Sequence, residues 1–163
     1  MVVDVRGPNS QIERQPVDLP SMADQELVFR EKKHFGKVDF LSAFYQLLQR
    51  LVAGKIYSLA TPWGHYRSTR VLMGATDAAG HCQHQAQLAL GDAHGDSAIC
   101  WVDDVAVTGR TQEEYVESMI KVLWRLTRKG WKAHPAKCEL YMTSLKFCGK
   151  IYSAAGVSPD PER

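Results

Sequence analysis

The chain has 163 residues, 45% of them hydrophobic and 23% charged, which is enough to bury one ordinary core and too apolar for a disordered segment. With 20 Lys and Arg against 18 Asp and Glu, the formal net charge is +2, which by itself points to neither nucleic acid nor a membrane surface. No apolar run is long enough to span a bilayer, and Met1 to Arg6 lacks the basic-then-apolar layout of a secretory signal, so the expected setting is intracellular and reducing.

Residues 7–25 carry Gly7, Pro8, Pro16 and Pro20, and the pattern predicts an extended surface segment. Residues 34–40 read as a short strand, after which Ser42 is placed to cap a helix over roughly 43–49. Between about 55 and 71, two strands flank the turn signal Thr61-Pro62-Trp63-Gly64-His65. Thr76 or Asp77 is predicted to cap a second helix, carrying Ala78, Cys82, Ala86 and Ala89 as far as Gly91. A loop over 91–97 leads to two apolar arms, 98–102 and 105–107, joined by Asp103-Asp104 as a hairpin with two acids at its tip. Thr111 with Glu114 is a capping-box signal, Tyr115, Met119, Ile120, Leu123 and Leu126 repeat at helical spacing, and Gly130 supplies the stop. Past Pro135, the alternation of Leu145, Phe147 and Ile151 predicts a last strand or hairpin about Gly149. Without the inserted hairpin, this order is the split βαβ pattern of a ferredoxin-like α+β sandwich.

Cys82, Cys100, Cys138 and Cys148 form no CxxC pair and show no zinc-ligand spacing. His81 and His84 lie three apart on a predicted helix, without Cys or Glu partners, and read as solvent-facing or core residues. The cations Lys121, Arg125, Arg128, Lys129, Lys132 and Lys137 follow the acids Glu113, Glu114 and Glu117. That order suits both dipole pairing along one helix and a phosphate-facing patch. GxSxG, HExxH and GxxxxGK[ST] are missing, so serine-hydrolase, zinc-protease and P-loop chemistry find no motif. The acids are the remaining chemistry. If the strand ending at Asp39 lies beside the hairpin, Asp39, Asp103 and Asp104 converge, and two Mg²⁺ ions about 4 Å apart would relieve their repulsion and serve in-line nucleotidyl transfer. A bare Asp-Asp pair is equally at home in a solvated turn.

The residues resemble the reverse transcriptases of gypsy-type LTR retrotransposons. Trp101-Val102-Asp103-Asp104 is similar to that family's Tyr-x-Asp-Asp hairpin, with Trp in the aromatic place. Val2-Val3-Asp4-Val5-Arg6-Gly7-Pro8-Asn9 resembles VDYRxLN, and Phe35-Gly36-Lys37-Val38-Asp39-Phe40-Leu41-Ser42-Ala43-Phe44-Tyr45-Gln46 resembles FSKLDLxSGYHQ. The stretch from Thr61 to Tyr66 is similar to TPFGHY, and the one from Gly130 to Cys138 to GLKLNPEKC. Phe147-Cys148-Gly149 resembles FLG, and the run from Gly156 to Glu162 resembles GISPDPEK. These matches are colinear and cover nearly the whole chain.

The resemblance implies an RNA-directed DNA polymerase palm over 34–163, with a partial fingers segment over 1–33 and the inserted hairpin on the fingers side. It implies that Asp39 and Asp103 bind two Mg²⁺ ions, for which Mn²⁺ can substitute, with Asp104 in a lesser role. Phe44 falls at the aromatic gate against a ribose 2′-OH, or is a plain core aromatic. Met73 and Gly74 would line the nucleotide pocket, and Lys137 would protonate pyrophosphate, or stand solvated. Phe147, Cys148 and Gly149 would grip the primer end. Arg6 would approach the template, or pair with Asp4 or Glu13. The implied partners are RNA or DNA template–primer, dNTPs and the rest of a larger polyprotein, in cytoplasmic particles and without a membrane. The run from Leu72 to Gln83 departs from the family's PFGLTNAPATFQ, and the resemblance sets the triphosphate clamp before Met1 and the thumb after Arg163. Those departures motivate a second expectation, a non-catalytic remnant that binds nucleic acid or protein. A two-metal nuclease would share the acids but not the other motifs.

Overall fold

The computed structural model describes residues 3–161, so Val2 and Glu162, at the outer ends of two motifs, lie outside the described residues. In chain order the helices are α1 (Arg6–Asn9), α2 (Met22–Phe29), α3 (Ala43–Gln46), α4 (Leu51–Ile56), α5 (Ala78–Leu90) and α6 (Gln112–Arg128). The strands are β1 (His34–Asp39), β2 (Ser58–Thr61), β3 (Gly64–Arg67), β4 (Ala98–Trp101), β5 (Asp104–Gly109), β6 (Glu139–Met142), β7 (Ser144–Phe147), β8 (Lys150–Ser153) and β9 (Gly156–Pro159).

Strand alternation builds two cores from one sheet. The main sheet runs β4-β5-β1-β6, all antiparallel, which is the strand order of a ferredoxin-like sandwich. Val38, Val105, Val107, Ala98 and Cys100 point to one face and pack under α5 and α6, with Cys82, Ala86, Tyr115, Met119 and Val122. Phe35, Ile99 and Ala106 point the other way, into a second cluster with Val28 and Phe29 of α2 and with Leu145, Phe147 and Tyr152 of the separate sheet β7-β8-β9. Phe29 stacks on Tyr152, ring centroids 3.9 Å apart. A third, small cluster of Val5, Tyr57 and Leu72 joins the N-terminal segment to the region of β2 and β3.

The α+β architecture and the inserted hairpin match expectation, and several local readings change. At the start of α5, Asp77 stands at the cap position but makes no side-chain cap bond, and its carboxylate accepts from the Gln15 amide instead. Residues 7–25 are not wholly extended: Ser21 accepts a hydrogen bond from the Asp24 amide, and Asp24 reciprocates on the Ser21 amide. This capping box, with Asp in the Glu place, starts α2. The helix predicted over 43–49 stops at Gln46, because Leu47 turns extended, its carbonyl accepts from the Val71 amide, and Leu48 bridges Arg70. Ser42 does not cap it; its φ of +49° is left-handed and its side chain makes no cap bond. At α6 only half of the box forms: the Thr111 side chain accepts from the Glu114 amide, while the Glu114 carboxylate takes the Lys32 ammonium and the Arg110 amide.

Candidate active site

Register places the first two acids. Asp39 pairs directly with Asp104 across β1 and β5, and Asp104 pairs with Trp101 across β5 and β4. All three side chains therefore share the sheet face opposite α5 and α6, together with Lys37, two positions before Asp39. The hairpin turn is Val102-Asp103 rather than the expected Asp103-Asp104, so Asp104 is a strand residue and Asp103 stands exposed in the turn. Val102 has φ +55°, the left-handed first position of a type II′-like turn, where a β-branched residue costs about 1–3 kcal/mol.

The strain at Val102 is held by a neighbour that the motif comparison did not single out. Gln83 on α5 is 1% exposed, its Oε1 accepts from the Val102 amide at 2.7 Å, and its Nε2 donates to the Cys100 carbonyl at 3.1 Å. One amide side chain thus ties the β4 arm to the first residue of the turn that carries Asp103. The signals in the sequence are its place at the last position of the PFGLTNAPATFQ stretch and its polarity beside Cys82 and Ala86 on a helix whose buried face is otherwise apolar. On the other flank, the Phe40 amide donates to the Asp103 carbonyl at 3.1 Å, and the His134 amide to the Asp39 carbonyl at 2.8 Å.

Burial pushes the Asp104 carboxyl above its usual value; Lys37 opposes that shift, Asp103 and Asp39 add to it, and Lys137 opposes it. Lys137 is therefore near enough to Asp104 to act on its charge, and it sits exposed in the single 3₁₀ turn Pro135–Lys137. Asp39 and Asp104 are matched in register with Asp103 next to them, a donor set of the oxygen chemistry that suits Mg²⁺. Among the described residues, however, no group of three or more His, Cys, Asp or Glu is closed up as a ready metal-holding cluster.

Phe147, Cys148 and Gly149 come to the same sheet face. Cys148 and Gly149, at φ +49° and +77°, make the tight turn between β7 and β8. Phe147 belongs to the cluster against which both Cys148 and Trp101 pack. Phe44 is half-buried against the helix-side core. Met73 is 60% exposed and Gly74 has φ +90°, and both follow Leu72 of the small third cluster. Asn9 ties that loop down: its Nδ2 donates to the Gly74 carbonyl at 2.8 Å, and its Oδ1 accepts from the Thr76 amide at 3.0 Å. Arg6 takes the ion-pair option, with Nη2 2.7 Å from Asp4 Oδ2, and this contact holds the Asp4 carboxyl down at about 2.

Two further sequence readings can now be placed. Of the basic run, Lys121 and Arg125 are turned onto Asp92, and Arg128 lies 4.7 Å over the Trp124 ring, so helix packing takes much of that charge. The four cysteines form no disulfide, and burial lifts the Cys82 and Cys100 thiols to about 12, far from reactive thiolates.

A ferredoxin-like sheet with helices on one face and paired carboxylates at a hairpin on the other is the architecture of a template-copying polymerase palm. The chain belongs to the reverse transcriptase (RNA-dependent DNA polymerase) family, whose model matches residues 3–152. It is 26% identical over 163 residues to the retrovirus-related Pol polyprotein from transposon 412 of Drosophila melanogaster, covering 100% of this chain and 13% of that protein. It is 27% identical over 164 residues to the transposon Tf2-3 polyprotein of Schizosaccharomyces pombe, covering 99% of this chain and 12% of that protein. The chain thus spans about one eighth of the length of these relatives. Among solved structures, the foamy viral protease–reverse transcriptase dRH in complex with dsDNA superimposes with a TM-score of 0.86 at 18% identity, over 99% of this chain and 28% of that one. The foamy viral enzyme in complex with an RNA/DNA hybrid gives 0.84 at 17% identity, over 99% of this chain and 22% of that one.

Proposed function

We propose that a longer protein containing this chain copies RNA into DNA, adding dNTPs to a primer 3′-OH at the edge formed by Asp39, Asp103 and Asp104. The observation that carries the reading is the direct Asp39–Asp104 register with Asp103 in the adjoining turn, within a chain of the reverse transcriptase family. Two Mg²⁺ ions, or Mn²⁺ in their place, supply activation of the primer hydroxyl and neutralisation of the leaving pyrophosphate when bound. Asp39 and Asp103 are the proposed holders of both, and Asp104 assists beside them. Gln83 and the Phe40 amide fix where the Asp103 turn sits, which matters because phosphoryl transfer is mainly positioning and electrostatics.

In the same reading, residues 1–33 and the hairpin at about 55–71 are partial fingers, and 34–163 are the palm. Phe44 gates the ribose 2′ position, Met73 and Gly74 line the nucleotide pocket, and Lys137 gives a proton to pyrophosphate. Phe147, Cys148 and Gly149 hold the primer end, and Arg6 meets the template once it exchanges Asp4 for a phosphate. The proposed partners are template–primer, dNTPs and the remainder of a polyprotein, in cytoplasmic particles. No helix of the described residues is long and apolar enough to cross a membrane. A protein extended at both ends is expected to extend a primer on an RNA template with Mg²⁺ or Mn²⁺, and Asp103→Asn in it to lose that activity. Extension that persists in the Asn variant would remove Asp103 from the metal assignment, and no extension by the parent would remove the polymerase reading.

A further inference from the structure

Helix α6 carries two apolar faces. The inner one is Tyr115, Met119, Val122 and Leu126, all buried against the sheet and α5. On the outer surface Val116, Ile120, Leu123 and Trp124 repeat at i, i+4, i+7 and i+8, a second stripe at helical spacing that faces water. Ile120, at its centre, is 63% exposed, and Trp124 is 58% exposed. One apolar face holds a surface helix to its core, and the second contributes nothing to that task. Scattered exposed apolar residues are ordinary, whereas a contiguous row of them marks an interaction surface. Neighbouring elements lengthen the row at both ends. The Tyr115 hydroxyl donates to the Leu140 carbonyl, which brings the exposed Leu140 of β6 to the N-terminal half of α6. At the C-terminal half, exposed Leu88 of α5 lines one cavity of about 470 Å³ with Trp124.

Charge is sorted along the same helix. Glu113 and Glu117 are exposed in its first half, and Arg128 is exposed in its last turn, 4.7 Å over the Trp124 ring. That order suits the helix dipole, and it also makes the face self-complementary when two copies run antiparallel. A twofold axis through Ile120 sets residues before it against residues after it. Val116 then meets Leu123 and Trp124 of the second copy, Ile120 meets itself, and Glu113 lies against Arg128 at either end. A parallel pair would set Glu113 against Glu113 and Arg128 against Arg128, so charge selects the antiparallel direction. A helix of 17 residues is about 25 Å long, and with Leu140 and Leu88 at its ends the pair covers on the order of 1,000 Å² in total. That is the small end of specific interfaces, which fits a reversible dimer.

We propose that the outer face of α6 is a self-association surface, pairing antiparallel with α6 of a second copy of this chain through Val116, Ile120, Leu123 and Trp124. Glu113 and Arg128 set its direction. The pairing uses none of Asp39, Asp103 and Asp104, so it stands or falls apart from the polymerase reading. The test is sedimentation velocity of the 163-residue chain from low-micromolar to near-millimolar concentration. A reversible monomer–dimer equilibrium is expected. Ile120→Lys sets two ammonium groups against each other on the axis and is expected to weaken association at least about tenfold. Because Ile120 is exposed, the urea midpoint of the dilute monomer should not move, which separates a lost interface from a lost fold. Glu113→Arg alone and Arg128→Glu alone are each expected to weaken the dimer. The two together in one chain are expected to restore it, because antiparallel pairing then sets each new charge against its opposite. A chain that stays monomeric throughout, a dimer that Ile120→Lys leaves intact, or a double swap no better than the single variants would each overturn the proposal. So would a monomeric parent that captures an acidic amphipathic helical peptide and loses it in Ile120→Lys, which assigns the stripe to a different partner.

Discussion

At the scale of single residues, the site depends on side chains that carry no chemistry. Gln83 satisfies a carbonyl on β4 and the amide of Val102 as the chain enters a strained turn, from a position that water does not reach. Gln83→Ala leaves both groups unpaired and is expected to cost about 1–3 kcal/mol in a urea titration. Gln83→Glu keeps the acceptor for Val102 but sets a buried carboxylate against the Cys100 carbonyl, and should cost at least as much at neutral pH. An alanine variant as stable as the parent would show that the turn holds itself. Gly36 has a similar silent role: a Cβ there would run into the Tyr115 hydroxyl, which donates to the Leu140 carbonyl, and would come within 2.7 Å of Met119 Cε. The acids were legible in the sequence because their motif is short and local. The roles of Gln83 and Asn9 were not, although both fall at matching positions of the family's motifs, because a hydrogen bond to the backbone of a distant segment leaves no pattern in spacing.

At the scale of elements, α6 was legible because its apolar spacing is regular and its start and stop signals agree. Helix α2 was missed although Ser21 and Asp24 were there to see, because the flanking prolines read as extended chain. Lys32, in the turn that leads from α2 to β1, meets Glu114 of α6 at 2.8 Å with 8% of its side chain exposed. The Lys32 hydrogen bond, opposed by partial burial, holds the Glu114 carboxyl below its ordinary 4.5. A depressed acid contributes stability that is full above the ordinary value and lost as pH falls through the folded one. Glu114→Gln should therefore lower the urea midpoint at neutral pH and lose less of what remains on acidification below about 4.5. Parallel acid limbs for the two proteins would mean that the pair contributes nothing to the link.

At the scale of the whole molecule, β1, the β4–β5 hairpin and the split βαβ pattern were legible, but β6, the fourth strand of the main sheet, was not, because the last strand was expected over Leu145 to Ile151. The inserted β2–β3 hairpin was legible too, from Pro62 and Gly64. The covering of the second sheet face was not. Only one more hairpin was expected about Gly149, yet β7, β8 and β9 form a sheet of their own that closes over Phe35 and Ile99. Nothing in those short strands shows that they leave the main sheet after β6. The step is visible only in the irregular register of β1 with β6 between Phe35 and Lys37.

The pairing of Asp39 with Asp104 also bears on how the chain folds. The β1–β5 ladder closes a loop that contains α3, α4, α5 and the β2–β3 hairpin, a long-range contact whose entropy must be met before it is rewarded. Its final rung sets two carboxylates directly opposite each other, a placement that opposes zipping. With the Asp104 carboxyl raised by burial, this cost is absent below the ordinary 3.8 and grows as pH climbs through the higher folded value. Asp104→Asn should accordingly raise the urea midpoint at neutral pH and lose that advantage in acid. Stopped-flow measurements would show faster refolding if the rung forms in the transition state and slower unfolding if it forms later; a midpoint equal to or below the parent's would mean the rung carries no penalty. The acid edge is in this sense a latch that like charge holds ajar.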